Sequence, residues 1–279
     1  MRLSTSARIT SAIGLVIILG LIVIAVFADY LAPYDPVTGT LGDRLIPPFW
    51  QAGGSTAHLL GTDVLGRDTL SRLIYGARSS LTVAVVAILV AGSIGSLLGI
   101  AAGYLGGWVD ALVMRAADLA FSFPTILLAM VLAVVFGASF FNIVVVISLV
   151  LWAEYARMAR GESLKIKEMD YVALAQVAGC SKVSIMLRHI LPNVASSLIV
   201  LATLQVGVVI ILESSLSFLG VGLPPPTPTW GSMVAEGRSY VVSAWWLSLV
   251  PGAAILVTVL SFNLLGDTLT ELINPERQS

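Results

Sequence analysis

Charge is scarce in this chain. Only 11% of its 279 residues are Asp, Glu, Lys or Arg, against roughly 25% in soluble domains. With 57% hydrophobic residues and a mean hydropathy of +0.96, a soluble globular domain is excluded and a polytopic membrane protein implied. The net charge of −1 leaves no basic surplus for nucleic acid. Cys180 is the single cysteine, which excludes an internal disulfide. His58 and His189 are too few and too distant for a haem or metal cluster. Lysine is rarer still: Lys165, Lys167 and Lys182 follow Leu164, Ile166 and Ser181. A phosphate-binding loop needs Gly-Lys followed by Ser or Thr, so this chain has none. HExxH is absent, and no pair of carboxylates is placed for acid–base work. The chain is not expected to be an enzyme or to bind a cofactor. ATP and Mg²⁺, if used, belong to another polypeptide.

What is present is a set of long charge-free windows. Residues 9–28, 79–109, 189–212 and 239–266 hold 20, 31, 24 and 28 such residues, and each exceeds the roughly 20 needed to cross a bilayer as helix. The window 119–153 has 35 residues, too many for one crossing at about 1.5 Å per residue. Gly137, Ala138, Ser139 and Asn142 supply a turn, so a helical hairpin is expected there. The total is six spans, with an all-α fold. The first is read as an uncleaved anchor, its apolar core being longer than that of a signal peptide. With both termini cytoplasmic, ten Lys and Arg from Arg2 to Arg277 lie inside and five (Arg44, Arg67, Arg72, Arg78, Arg238) outside. That satisfies the positive-inside rule. The expected organisation is an anchor and external segment over 1–76, a transmembrane core over 77–268 and a tail over 269–279.

Within the core, small residues recur every fourth position at Ala87, Ala91, Gly95, Gly99, Gly103 and Gly107. This spacing predicts a seam where another helix backbone approaches closely. Polar groups near the membrane are Asp118, Gln205, Glu213 and Asn263. Gln205 and Asn263 fall mid-span, where they either line a path or bond between helices. Glu213 belongs near a helix end or a wet cavity, since a charge at mid-bilayer costs about 2.5–3.5 kcal/mol. In the external segment, Leu70, Leu73 and Ile74 predict a short surface helix, and the remainder reads as a solvated, irregular loop.

One polar interruption stands out. Residues 154–192 carry six of the fifteen basic residues and all three lysines, and fall on the cytoplasmic side. The pattern predicts one helix ending near Ala178, broken by Gly179, and a second from about Lys182 to Ile190. Ser181 is a candidate cap and Pro192 fits a first helical turn. Tyr171, Val172, Met186 and Leu187 offer apolar area suited to a groove on a partner.

Residues 171–193, YVALAQVAGCSKVSIMLRHILPN, resemble the coupling loop of binding-protein-dependent ABC importer permeases. That loop carries a Glu-Ala-Ala triplet, a glycine four residues on and a closing Ile-x-Leu-Pro. Here the triplet falls on Ala173, Leu174 and Ala175, the glycine on Gly179 and the close on Leu191 and Pro192. Ala173 replaces the usual glutamate and His189 takes the isoleucine position. HLLGTDVLGRDTLSRLIYGAR (58–78), LSFLGVGLPPPTPTWGSM (216–233) and WWLSLVPGAAILVTVLSFNLLGDTL (245–269) resemble the dipeptide/oligopeptide/nickel group, and within it the second, C-type permease subunit. The resemblance implies a type I importer permease in a prokaryotic plasma (inner) membrane, surrounded by lipid. It implies a homologous B-type permease partner, two cytosolic ATPase subunits and an extracytoplasmic substrate-binding protein. Peptides are the expected cargo. A nickel chelate or glutathione-like compound fits the same architecture. A scaffold that recruits a soluble partner without transport is the alternative of a different class, and no intramembrane ionisable pair supports a secondary transporter.

Overall fold

The computed structural model describes residues 5–273, with side chains from 11 to 272. Arg2 and Arg277, used above for orientation, and residues 274–279 of the tail lie outside the described residues. Among the described residues there is no strand beyond an isolated bridge between Thr62 and Asp68. Within the described residues the fold is carried by eleven α-helices: α1 (Thr5–Val26), α2 (Ala28–Leu31), α3 (Thr69–Leu105), α4 (Gly107–Phe121), α5 (Thr125–Phe136), α6 (Phe140–Ile166), α7 (Asp170–Val177), α8 (Lys182–Ile185), α9 (Leu191–Phe218), α10 (Trp230–Gly237) and α11 (Trp246–Ile273). Four helical stretches are individually long and apolar enough to cross a membrane: α3, α6, the run from Lys182 to Phe218, and α11. The bent pair α4–α5 would be a fifth, and α1 has a shorter apolar stretch.

Several expectations are corrected by the helix boundaries. The short helix expected around Leu70, Leu73 and Ile74 is not a separate element, because these residues belong to the first turns of the 37-residue α3. No glycine or proline interrupts the chain between Asp68 and Gly106 in a way that ends the helix. Asp68 caps its start by accepting from Ser71 N at 2.7 Å. The expected hairpin turn exists, with Gly137 at φ 81° and Ser139 capping α6 through Asn142 N at 3.1 Å. Its first arm, however, is not one straight span. It is broken at Ser122–Pro124 and bent by 94°, because proline at 124 lacks the N–H and the freedom to continue α4. Finally, the polar interruption that starts at Glu154 does not open with a helix of its own. α6 runs on to Ile166, its charged last turns held by α4: Arg160 donates to both oxygens of Asp110 at 2.5 and 2.6 Å, and Arg157 to Asp118 at 2.9 Å.

The most extensive helix pair is α3 with α6, and glycine makes it possible. A Cβ on Gly95 would stand 2.3 Å from Trp152 O, one on Gly99 2.2 Å from Ala156 O, and one on Gly103 2.7 Å from Ser163 Cβ. Ala87 and Ala91 continue this face, fully buried, and Ser148 Oγ donates to Ala87 O at 3.2 Å. Gly107 is not part of it: the helix ends at Gly106, and Gly107 starts α4 at φ 57° with open space around it. Around this pair, α9 packs on α3 and α6, α11 on α9, and α1 on α11 and α3.

At the N-terminal end of α3, the stretch read as a solvated loop is instead a buried ionic cluster. Arg67 Nε donates to Asp63 Oδ2 at 2.6 Å and its Nη2 to Glu236 Oε2 at 2.7 Å. Arg72 binds Asp63 as well, and both oxygens of Glu236 at 2.7 and 3.0 Å. Asp63 Oδ1 also accepts from the amides of Leu65 and Arg67 at 2.8 and 2.9 Å. Two tryptophans tie the cluster to the later chain: Trp230 Nε1 donates to Leu73 O at 3.0 Å and Trp246 Nε1 to Thr62 O at 3.2 Å. Beside it, Arg78 clasps Asp29 through two 3.0 Å bonds, and with the Tyr75 hydroxyl holds that carboxyl below its usual range.

Two outcomes test these contacts by thermal unfolding in detergent. Gly99→Ala should destabilise by about 1–3 kcal/mol, the usual cost of overpacking, whereas Gly20→Ala, with no atom near its Cβ, should stay within about 1 kcal/mol of the parent. Arg72→Met should cost about 3–5 kcal/mol by leaving Asp63 short of a partner. Exposed Arg44→Ala should change stability by no more than about 0.5 kcal/mol.

Candidate functional site

Between α6 and α9 the chain turns twice in fifteen residues. α7 starts at Asp170 after Met169 and ends at Val177, with Ala178 as its C-cap. There Gly179 N donates to Gln176 O at 3.0 Å and Cys180 N to Ala175 O at 3.1 Å. This pair of bonds is the Schellman arrangement, which requires a left-handed residue, and Gly179 supplies it at φ 80°. Ser181 then caps α8 by accepting from Ser184 N at 3.2 Å. The helix from Lys182 widens to a π-turn over Met186–Ile190 before α9. Pro192 explains the widening: it cannot donate to Arg188, and its ring would collide with that carbonyl in a regular α-turn. Pro192 stands in the first turn of α9, as its sequence position predicts, and the enlarged turn joins α9 to the helix before it.

The two faces of α7 differ. Val172 and Ala175 are buried in a cluster with Ile100 of α3, Ala159 and Ile166 of α6, Ile185, Ile190 and Val194. Tyr171, Leu174 and Val177, at three-residue spacing, point away, with Leu174 68% and Val177 87% exposed. Val183 and Leu187 extend the exposed apolar surface. Of the residues singled out from sequence, Tyr171, Ala173 and Leu174 are on the open face, as are Gly179 and Ser181 in the turn. Ala175 faces the bundle. Leu191 is half-buried and Pro192 exposed at the root of α9. An exposed apolar stripe on a helix anchored from behind by a packed cluster is suited to a groove on another protein.

The three candidate path residues lie apart, and no hydrogen bond joins any two of them among the described residues. Glu213 is fully enclosed, accepting from Ser217 Oγ at 2.7 Å and from Ser80 Oγ of α3 at 3.2 Å. Asn263 is exposed on α11, its Oδ1 close to Gly207 of α9. Gln205 is buried and donates through Nε2 to Glu154 Oε2, bridging α9 to α6. Sequence reasoning missed Glu154, which ended a charge-free window and was assigned to the cytosolic loop. The continued helical spacing of Tyr155, Ala156 and Ala159, with no proline before Ile166, is the signal that it stays within α6.

A bundle of long apolar helices, one of them broken, with an exposed apolar turn set between two of the longest, defines an integral membrane protein of permease type. The chain belongs to the family of binding-protein-dependent transport system inner membrane components, which it matches over residues 95–279. Residues 10–48 match the N-terminal transmembrane domain of oligopeptide transport permease C. It is 41% identical to a probable D,D-dipeptide transport system permease protein of Escherichia coli K12, over 96% of this chain and 87% of that one. It is 42% identical to a glutathione transport system permease protein of Pectobacterium atrosepticum (98% and 88%) and 40% to a di/tripeptide transport system permease protein of Pseudomonas aeruginosa (94% and 87%). A chain of the MetNI methionine ABC transporter, solved in inward-facing conformations, shares the fold, with a TM-score of 0.57 over 74% of this chain and 97% of that one at 17% identity.

Proposed function

We propose that this chain is the C-type permease subunit of an ATP-driven importer of di- or oligopeptides. The exposed stripe of α7 carries the reading. Its partners would be a homologous B-type permease, two cytosolic ATPase subunits that bind ATP and Mg²⁺, and an extracytoplasmic substrate-binding protein. The chain would cross the membrane six times, counting α1 and the bent pair α4–α5, with both termini cytoplasmic. Peptide cargo is supported by relatives named for dipeptide, di/tripeptide and glutathione transport, the last itself a peptide.

The coupling follows from the two faces of α7. Tyr171, Leu174 and Val177 would enter a groove on an ATPase subunit. Closure of the ATPases moves α7, and Val172 and Ala175 pass the displacement to α3, α6 and α9 because their cluster is closely packed and transmits strain. Ala173 puts a methyl group where the resembling loops carry a glutamate, so docking here rests on apolar contact.

Affinity purification of the tagged chain from its native membrane, with intact-mass identification of what comes with it, tests the reading. A second permease and two ATPases are expected. Leu174→Asp should lose at least about tenfold of the ATPase recovered, since burying an unpaired charge in an apolar groove costs more than 1.4 kcal/mol, while the second permease is retained. Recovery of the ATPases at parental level in Leu174→Asp removes α7 as the docking element. A partner without a nucleotide site favours the scaffold.

A further inference from the structure

We infer that α4 lies flat at the membrane–water interface, beside the charged end of α6, with one face docked on phospholipid headgroups. The side chains of that face are Trp108, Leu112, Arg115 and Leu119. They follow one another by four, three and four residues, which gathers them within about 60° of the helix surface. Trp108 is 76%, Leu112 62% and Leu119 65% exposed, and Arg115 is exposed as well. On the opposite face Val113 and Ala117 are buried.

Two observations set α4 across the bundle. α5 and α6 are joined by the short turn 137–139 and pack on each other, with Ala129 and Ala133 in one core cluster with Ile143 and Ile147. α4 meets α5 at 94°, so an α5 that returns along α6 leaves α4 transverse to both. The side-chain contacts agree. Asp110 binds Arg160, Asp118 binds Arg157, and Phe121 stacks on the same Arg157 at 4.1 Å. About 16 Å of α4 is thus served by a single turn of α6. That turn follows directly on the charge-free stretch 140–153 of α6. α4 itself carries Asp110, Arg115 and Asp118, whereas α5 carries no charged residue, so α5 is the arm that enters the bilayer.

The exposed face of α4 matches the headgroup level and neither layer beside it. In bulk water it would leave three large apolar side chains uncovered. Among acyl chains Arg115 would lose its hydration. Both carboxylates of α4 are paired, Asp110 with Arg160 and Asp118 with Arg157, and Arg115 forms no ion pair among the described residues. A guanidinium donates two parallel hydrogen bonds to a phosphate, and its apolar stem can lie along the neighbouring leucines. The Trp108 indole suits the same layer, its ring in the apolar part and its N–H in the wet part. Apolar side chains with a cation among them hold an amphipathic helix in that plane. The ligand of this face is therefore a phospholipid, its phosphate on Arg115 and its upper acyl segment under Trp108, Leu112 and Leu119.

The test uses the complex purified with this chain from its native membrane, made cysteine-free (Cys180→Ser here) and placed in nanodiscs of phosphatidylglycerol and phosphatidylcholine. Nitroxide labels on Leu112→Cys and Leu119→Cys report depth through their accessibility to oxygen and to a water-soluble nickel chelate. Both labels should lie at one depth, just below the headgroups. A spanning α4 would separate them by about 10 Å and overturns the inference. So do labels open to nickel but not to oxygen, which put the face in water, and labels closed to both, which put it against another subunit. A second arm removes the phosphate contact. Arg115→Gln should lower the melting temperature of the nanodisc complex by about 2–4 °C, the worth of one arginine at an anionic surface. In uncharged maltoside detergent the same variant should melt with the parent. An equal shift in both media, or none in either, overturns the role of Arg115.

Discussion

The close approach of α3 and α6 is the constraint on which the rest of the structure depends. Inside a membrane there is little hydrophobic gain from bringing helices together, so association rests on packing and interhelical hydrogen bonds. Gly95, Gly99 and Gly103 let the backbone of α6 come within van der Waals reach, at Trp152, Ala156 and the Arg160–Ser163 turn. That contact fixes the rotation of α6 about its axis. It puts Tyr155 and Ala159 inward and turns Glu154 outward, where Gln205 of α9 meets it. It also sets the position of Ile166, against which α7 is seated.

The two ends of the bundle solve opposite problems. At the N-terminal end of α3, charged side chains are brought inside and matched to one another: Arg67 and Arg72 against Asp63 and Glu236, with Asp68 spent on capping the helix. Removal from water is tolerable there because every carboxylate in the group has at least two donors. At the α7 end the opposite holds. Charged side chains stay at the surface, the turn is closed by backbone bonds around Gly179, and apolar side chains are left uncovered. A self-satisfied end acts as a rigid cap.

Much of this was legible. The Gly137 turn followed from small and polar residues inside a window too long for one crossing. The four-residue spacing of Ala87 to Gly103 announced a seam, since only one face of a helix repeats that way. Gly179 and Ser181 marked the break and the restart around α7. The misreadings share a cause: each concerned what a local segment meets at long range. The stretch with Asp63, Arg67 and Arg72 looks solvated because its charges balance only when Glu236, more than 160 residues later, is folded onto it. Glu154 looked like the start of a loop because a charge ends a hydropathy window, although helix geometry does not stop there.

The sequence by itself determined the class: an all-α membrane protein with one ordered, amphipathic turn between its long helices. Composition, periodicity and glycine placement act locally, so they can be read along the chain. Tertiary structure alone decided which charges are neutralised inside the fold and which remain available. It showed Arg72 consumed by two carboxylates and Glu154 left with an uncharged amide. That distinction depends on distances between residues remote in sequence, because an ion pair or a desolvated charge is a property of two groups in space and not of either one's neighbours in the chain.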